Sequence, residues 1–182
     1  VLLEWNADVD KATKNGDTPL LEAAQEGHEG IVKVLLEWNA DVDKASQDGF
    51  TPLYAAAQEG HERIVDALLE RKAAVDKASE DGRTPLYVAS QKGHDGIVKV
   101  LLEWNADVDK ASQDGFTPLY VAAEEGHERI VDALLNKGAD INSENEFGHT
   151  PLHLAVKSGN TAVVTLLLER CADVESETVG GD

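Results

Sequence analysis

The chain has 182 residues, 42% of them hydrophobic, which is enough for a buried core and excludes a wholly disordered polymer. Its 35 acidic residues against 16 basic ones give a formal charge of -19, which repels phosphate backbones and anionic lipid alike. A single cysteine, Cys171, excludes an internal disulfide and suits a reducing intracellular, cytoplasmic setting, and no apolar run reaches the roughly 18 residues of a membrane span. In chain order, Val1–Trp5 matches Val34–Trp38, the last turn of a helix, so the chain is expected to begin inside a partial unit, 1–12.

The first full unit, 13–45, carries Gly16, the triplet Thr18-Pro19-Leu20 and then Gly27. The same register returns every 33 residues, in units 46–78, 79–111, 112–144 and 145–174, with triplets beginning at Thr51, Thr84, Thr117 and Thr150. All five prolines lie in these triplets. The glycine two residues ahead supplies a backbone position free to take positive φ. Threonine then offers its side-chain oxygen to the open amides of a first helical turn, and proline comes next, where a missing N–H costs nothing. In the second unit this predicts a helix over 52–59, ended by Gly60. A second helix is predicted over 62–71, with Ile64, Val65, Leu68 and Leu69 on its apolar face. The chain then turns through Asn39, Lys72, Asn105, Gly138 or Cys171; Asn and Gly tolerate a left-handed backbone, whereas Lys72 and Cys171 suit it poorly. Residues 175–182 are acidic and contain glycine, and are expected to form a flexible tail.

The elements are all-α, and one helix pair is too small to bury its own apolar side, so neighbours must stack. The succession Gly-x-Thr-Pro-Leu, Ala-Ala, Gly-His, Ile-Val, Leu-Leu and Ala-Asp-Val resembles the ankyrin repeat. The copy Gly148-His149-Thr150-Pro151-Leu152-His153-Leu154-Ala155 is nearest to the family's pattern. The resemblance covers residues 1–174 as one array. It implies an all-α solenoid of stacked antiparallel helix pairs, with β-hairpin-like turns along one edge. Departures occur: the family's histidine after Thr-Pro-Leu survives only at His153 and is replaced by Leu21, Tyr54, Tyr87 and Tyr120. Glu22 takes a usually apolar position.

A second period is twice as long. Residues 31–69 and 97–135 differ only at Ala55/Val121 and Gln58/Glu124. Within it Lys33, Asp66, Lys99 and Asp132 alternate at equivalent positions, about 10 Å apart if the helices pack normally. Two readings stand: an alternating ion-pair ladder, or inherited sequence of little energetic weight.

Residues that look chemical do not assemble into a catalytic motif. His28, His61, His94 and His127 recur in one register, which fits a structural part better than a catalytic base needing one unique setting. His149 and His153 supply at most half of a zinc site. The string Asp41 to Gly49 begins like a calcium loop but places Ala45 at a ligand position and lacks the glycine of the sharp turn. No phosphate-cradling loop or nucleophile motif is present. No enzymatic activity, metal or cofactor is expected.

Recognition therefore falls to the positions that stacking leaves free. By the resemblance these are the turn tips and the exposed face of each first helix, which line a concave groove. Carried onto this chain, the candidates are Asp17; Gln47, Asp48, Phe50 and Glu59; Glu80, Asp81, Arg83 and Lys92; Gln113, Asp114, Phe116 and Glu125; Phe147 and His149. Phe50 and Phe116 lie two repeats apart, on the order of 20 Å, and are either anchors for a partner or rings laid on a neighbouring turn. Trp5, Trp38 and Trp104, near the ends of second helices, pose the same choice. The expected partner is a basic, partly apolar protein or peptide, not nucleic acid or membrane, bound by a monomeric scaffold. The alternative is a structural spacer within a larger protein.

Overall fold

The threonine of each triplet opens a helix, and the same helix pair recurs after every one. The computed structural model describes residues 7–170. Among them are ten helices: α1 (Pro19–Gln25), α2 (Glu29–Glu37), α3 (Pro52–Glu59), α4 (Glu62–Glu70), α5 (Pro85–Lys92), α6 (Asp95–Glu103), α7 (Pro118–Glu125), α8 (Glu128–Asn136), α9 (Pro151–Lys157) and α10 (Thr161–Glu169). Thr18, Thr51, Thr84 and Thr117 accept from the backbone amide three residues on, at 3.1–3.4 Å, with proline at the start of the helix. At Thr150 the cap runs through His153, whose Nδ1 accepts the Thr150 amide at 3.1 Å. The second helix of the second repeat stops at Glu70, one residue short of expectation, with Arg71 as its cap. Asn39, Lys72 and Asn105 take φ of 57°, 66° and 58° at the next turn, the left-handed region that suits Lys72 poorly. Cys171, Val1–Trp5 and the tail 175–182 lie outside the described residues.

First helices pack on first helices and second on second, so two layers run the length of the array, and among the described residues no strand forms. The core is the seam between layers: Leu20, Leu53, Leu86 and Leu119 are fully buried, as are Ile64, Leu68 and Leu101 to within a few per cent. The duplicated sequence provides an internal control on stacking. Ile31 is 52% exposed and Ile97 1%, in helices of nearly the same sequence. The difference is that α4 precedes and packs on α6, while among the described residues no second helix precedes α2. Covering such a side chain contributes on the order of 2 kcal/mol. Glu22 obeys the same logic: it is exposed where Ala55, Val88 and Val121 are buried against an earlier first helix.

Polar bonds tie each repeat to the next. Carboxylates of Asp10, Asp43, Asp76 and Asp109 accept backbone amides of Asp41, Ala74, Asp107 and Asp140 at 2.9–3.0 Å. Lys44, Lys77 and Lys110 donate to the carbonyls of Asp10, Asp43 and Asp76 at 2.7–2.9 Å. Asp43 of the calcium-like string is thus committed to the next repeat's backbone. In the fourth repeat Ser143 stands at the lysine position, and its buried hydroxyl has no partner. The alternation Lys33, Asp66, Lys99, Asp132 does not form a ladder. Lys33 pairs within its own helix with Glu29 at 2.6 Å, and the cross-repeat pairs are Arg63–Glu29 (3.5 Å), Arg129–Asp95 (3.8 Å) and Arg170–Asp132. Equivalent positions are a full helix spacing apart, whereas a long arginine offset along the helix reaches the neighbour.

Candidate functional site

The turn between repeats ends in a tight tip, and the tips are stitched in a row. Gln47 N–H donates to the Asn15 carbonyl at 2.9 Å, Glu80 to Asp48 at 2.9 Å and Gln113 to Asp81 at 2.8 Å. The side chains of Gln47 and Gln113 add bonds to the carbonyls of Lys14 (3.0 Å) and Glu80 (2.6 Å). The next link, Glu146 to Asp114, does not form. A Cβ placed on Gly115 comes no nearer than 3.6 Å to the succeeding turn, against 2.7 Å at Gly49. The fifth tip stands off from the fourth.

Behind each tip sits a tyrosine. Tyr54, Tyr87 and Tyr120 are buried at the start of α3, α5 and α7. Phe50 stacks on Tyr54 with centroids 4.8 Å apart, Phe116 meets Tyr120 edge-on at 5.4 Å, and Arg83 lies over Tyr87 at 5.7 Å. The two phenylalanines, which in sequence have no core to enter, are therefore half-buried against its edge. Burial pushes all three phenols up, with the Arg83 cation opposing the rise at Tyr54 and Tyr87. Tyr120, whose hydroxyl is buried without a hydrogen-bond partner, rises to about 12.

At the other end of the first helices the repeating histidine spans repeats. His61, His94 and His127 donate from Nε2 to the carbonyls of Gln25, Gln58 and Gln91 at 2.9–3.1 Å. Asn160 does the same work in the fifth repeat, donating to Ala123 and Glu124 at 3.0 and 2.7 Å. Asn160 is not among the residues expected from sequence; its position 33 residues after His127 was the available signal. Turn, capped helix, glycine, bridging histidine and second helix recur in register. A family model for ankyrin repeats in three copies matches residues 39–112 and again 105–178, and a single-repeat ankyrin model matches 15–47. The chain belongs to the ankyrin-repeat family. No curated protein matches this ankyrin chain.

Ankyrin repeats are protein–protein interaction modules. The candidate positions form two rows on this array, one along the tips and one along the ends of the first helices, separated by the helix length of about 12 Å. Gln47, Asp48, Glu80, Asp81, Gln113 and Asp114 are exposed on the tips, with Arg83 half-buried beside them. Glu59, Lys92 and Glu125 are exposed on the second row. Asp17 is half-buried and bonded to Thr13. Phe147 is 60% exposed and, on the fifth tip, lies 6.5 Å from the His149 ring. His149 and His153 stand 5.8 Å apart between ring centroids. Among the described residues no three His, Cys, Asp or Glu side chains converge as metal ligands. Trp38, 73% exposed, and Trp104, 46% exposed, cap α2 and α6 on the other layer. No described helix is long and apolar enough to cross a membrane.

Charge divides between the layers. All four ion pairs join residues of the second helices or their caps, and none involves a tip or a first helix among the described residues. The carboxylates of Asp48, Glu59, Glu80, Asp81, Asp114 and Glu125 are exposed and lack an ion-pair partner among those residues.

Proposed function

We propose that this ankyrin array is a scaffold that holds a basic, partly apolar protein segment along its tips and first-helix face. The single observation that carries this reading is the row of exposed carboxylates without ion pairs on the tips and first helices, while all four ion pairs among the described residues lie on the second-helix layer. Such a row attracts positive charge and speeds its encounter. Half-buried Phe50 and Phe116 add apolar area beside it. The spacer alternative draws on one feature: both rings rest on a tyrosine, a framework contact that needs no partner.

Fluorescence anisotropy with labelled Lys/Leu-rich and Glu/Leu-rich peptides separates the readings. The scaffold binds the basic peptide, more weakly as salt rises, and loses it on Glu59→Lys with Glu125→Lys. Charge reversal of Lys33 on the other layer leaves binding in place. Equal binding of both peptides, or indifference to the double reversal, sinks the proposal. Phe50→Ser with Phe116→Ser weakens a partner that uses the rings and does nothing to a spacer.

A further inference from the structure

The surface assigned above to recognition is present twice. Residues 31–69 and 97–135 are the same apart from two positions. One of these, Ala55/Val121, is buried at 6% and 2%, so it changes nothing a ligand touches. The other, Gln58/Glu124, is the only surface difference between the copies. Each copy offers an exposed Gln-Asp tip, a half-buried phenylalanine seated on a tyrosine, and an exposed glutamate at the end of the first helix. Between them stands a repeat of different chemistry. Arg83 replaces the phenylalanine and Lys92 the glutamate, and neither cation takes part in an ion pair among the described residues. The Arg83 side chain makes no hydrogen bond or ion pair with the described residues, and although its Nε is buried, the terminal N–H groups of the half-buried side chain keep donor capacity for a ligand. Along the first-helix row the sequence is Glu59, Lys92, Glu125: acid, base, acid.

We infer that the array is a bivalent receptor for one extended segment carrying two basic-apolar modules with a carboxylate between them. The inference rests on the scaffold reading and adds the ligand's pattern. Like subsites bind like modules, and the central cations oppose a third basic group while accepting an acidic one. Two repeats of packed helices set the modules roughly 20 Å apart. An extended chain rising about 3.3 Å per residue covers that distance in about six residues. Linking the modules at a matched span makes the second contact intramolecular, which raises affinity by about 10²–10⁴-fold without any new contact. The copies differ in support: the Asp48 carbonyl is taken by Glu80, whereas the equivalent bond from Glu146 to Asp114 is absent. The two subsites therefore share chemistry while the second has the looser tip.

Isothermal titration with four synthetic peptides tests this on the intact chain. One carries two Lys-Leu-Lys modules with centres six residues apart and a glutamate midway. The second has one module replaced by Ser-Gly-Ser, and the third has the modules three residues apart. The first is expected to bind one per chain and at least tenfold tighter than the second and third. The single-module peptide is expected to bind two per chain, falling to one in Phe116→Ser, while Gln58→Glu leaves it at two and brings the two affinities together. A fourth peptide, the first with lysine in place of the midway glutamate, is expected to bind more weakly than the first, and in Arg83→Ser that preference disappears. One single-module peptide per chain, or no gain from six-residue spacing over three, overturns bivalency and leaves the scaffold standing. Failure of all four peptides to bind overturns the scaffold and the bivalency together. Circular dichroism of each variant confirms that its helices are intact, and any variant that loses them is replaced by the same test at Asp48→Ser and Asp114→Ser.

Discussion

Lys72 is the one lysine forced into a left-handed backbone among the described residues, and replacing it isolates the cost of that conformation. Its φ is 66°, where its counterparts are Asn39, Asn105 and Gly138. Its side chain is exposed and makes no hydrogen bond or ion pair with the described residues, so Lys72→Gly removes no such contact. The amide still donates to Leu69 and that of Ala73 to Leu68, at 2.8 and 3.1 Å. An L-residue in this region costs about 1–2 kcal/mol. Glycine gives back about 0.4–1 kcal/mol of that because its unfolded chain is freer. The net expectation is a gain of about 0.5–1 kcal/mol, or about 1–4 °C in melting temperature for a chain of this size. Urea unfolding monitored by circular dichroism reads the change as a higher midpoint at unchanged slope. Lys72→Ala is the control, because it deletes the same charge and keeps the Cβ. If glycine is no more stable than alanine, the strain argument fails.

Three further substitutions test the seams between repeats, and a fourth tests a buried phenol. His94→Ala deletes the bond to the Gln58 carbonyl and is expected to lower stability by about 1–3 kcal/mol. His28→Ala, with no bond to an earlier repeat among the described residues, stays within about 0.5 kcal/mol in the same urea assay. Ser143→Lys restores the lysine that repeats one to three direct at an earlier carbonyl, here that of Asp109, and removes an orphaned hydroxyl. It is expected to add about 0.5–1.5 kcal/mol by urea midpoint, and a neutral result refutes the assigned geometry. Tyr120 ionises near 12 in the folded chain against an ordinary 10, so folding favours the protonated phenol. Its contribution is complete below pH 10 and is lost as pH rises from 10 to 12. Tyr120→Phe should flatten stability over that window and, with the buried unpaired hydroxyl gone, cost little at neutral pH; tyrosine absorbance against pH shows the late ionisation directly.

The fold was legible because each framework position is written five times. One threonine before one proline is a weak signal, but five in register fix caps, helix starts and the positive-φ glycines together. The contacts that join repeats were less legible, for a geometric reason. The sequence aligns equivalent positions, which stand a full helix spacing apart, while bonds form along diagonals: Lys44 reaches Asp10, His61 reaches Gln25 and Arg170 reaches Asp132. That offset is why, of the two readings open for the Lys33–Asp66 alternation, the ion-pair ladder does not form. Phe50 and Phe116 were half-legible: their place at a tip is in the sequence, but their seat depends on where Tyr54 and Tyr120 emerge from a neighbouring turn of helix. The open junction at Gly115 was not legible at all, since it is the absence of a bond between two unremarkable residues.

The unpaired front carries a cost that argues for an occupant. Carboxylates on successive tips, about 10 Å apart, repel by roughly 0.4 kcal/mol per pair in water before salt screens them. Nothing in the fold requires those charges: the tips are held by backbone bonds from Gln47, Glu80 and Gln113, whose geometry is indifferent to side-chain sign. The second-helix layer shows that the same chain can place arginines where carboxylates need them, at Arg63, Arg129 and Arg170. A basic segment lying on the front would replace that repulsion with attraction, so its binding and the stability of the array rise together.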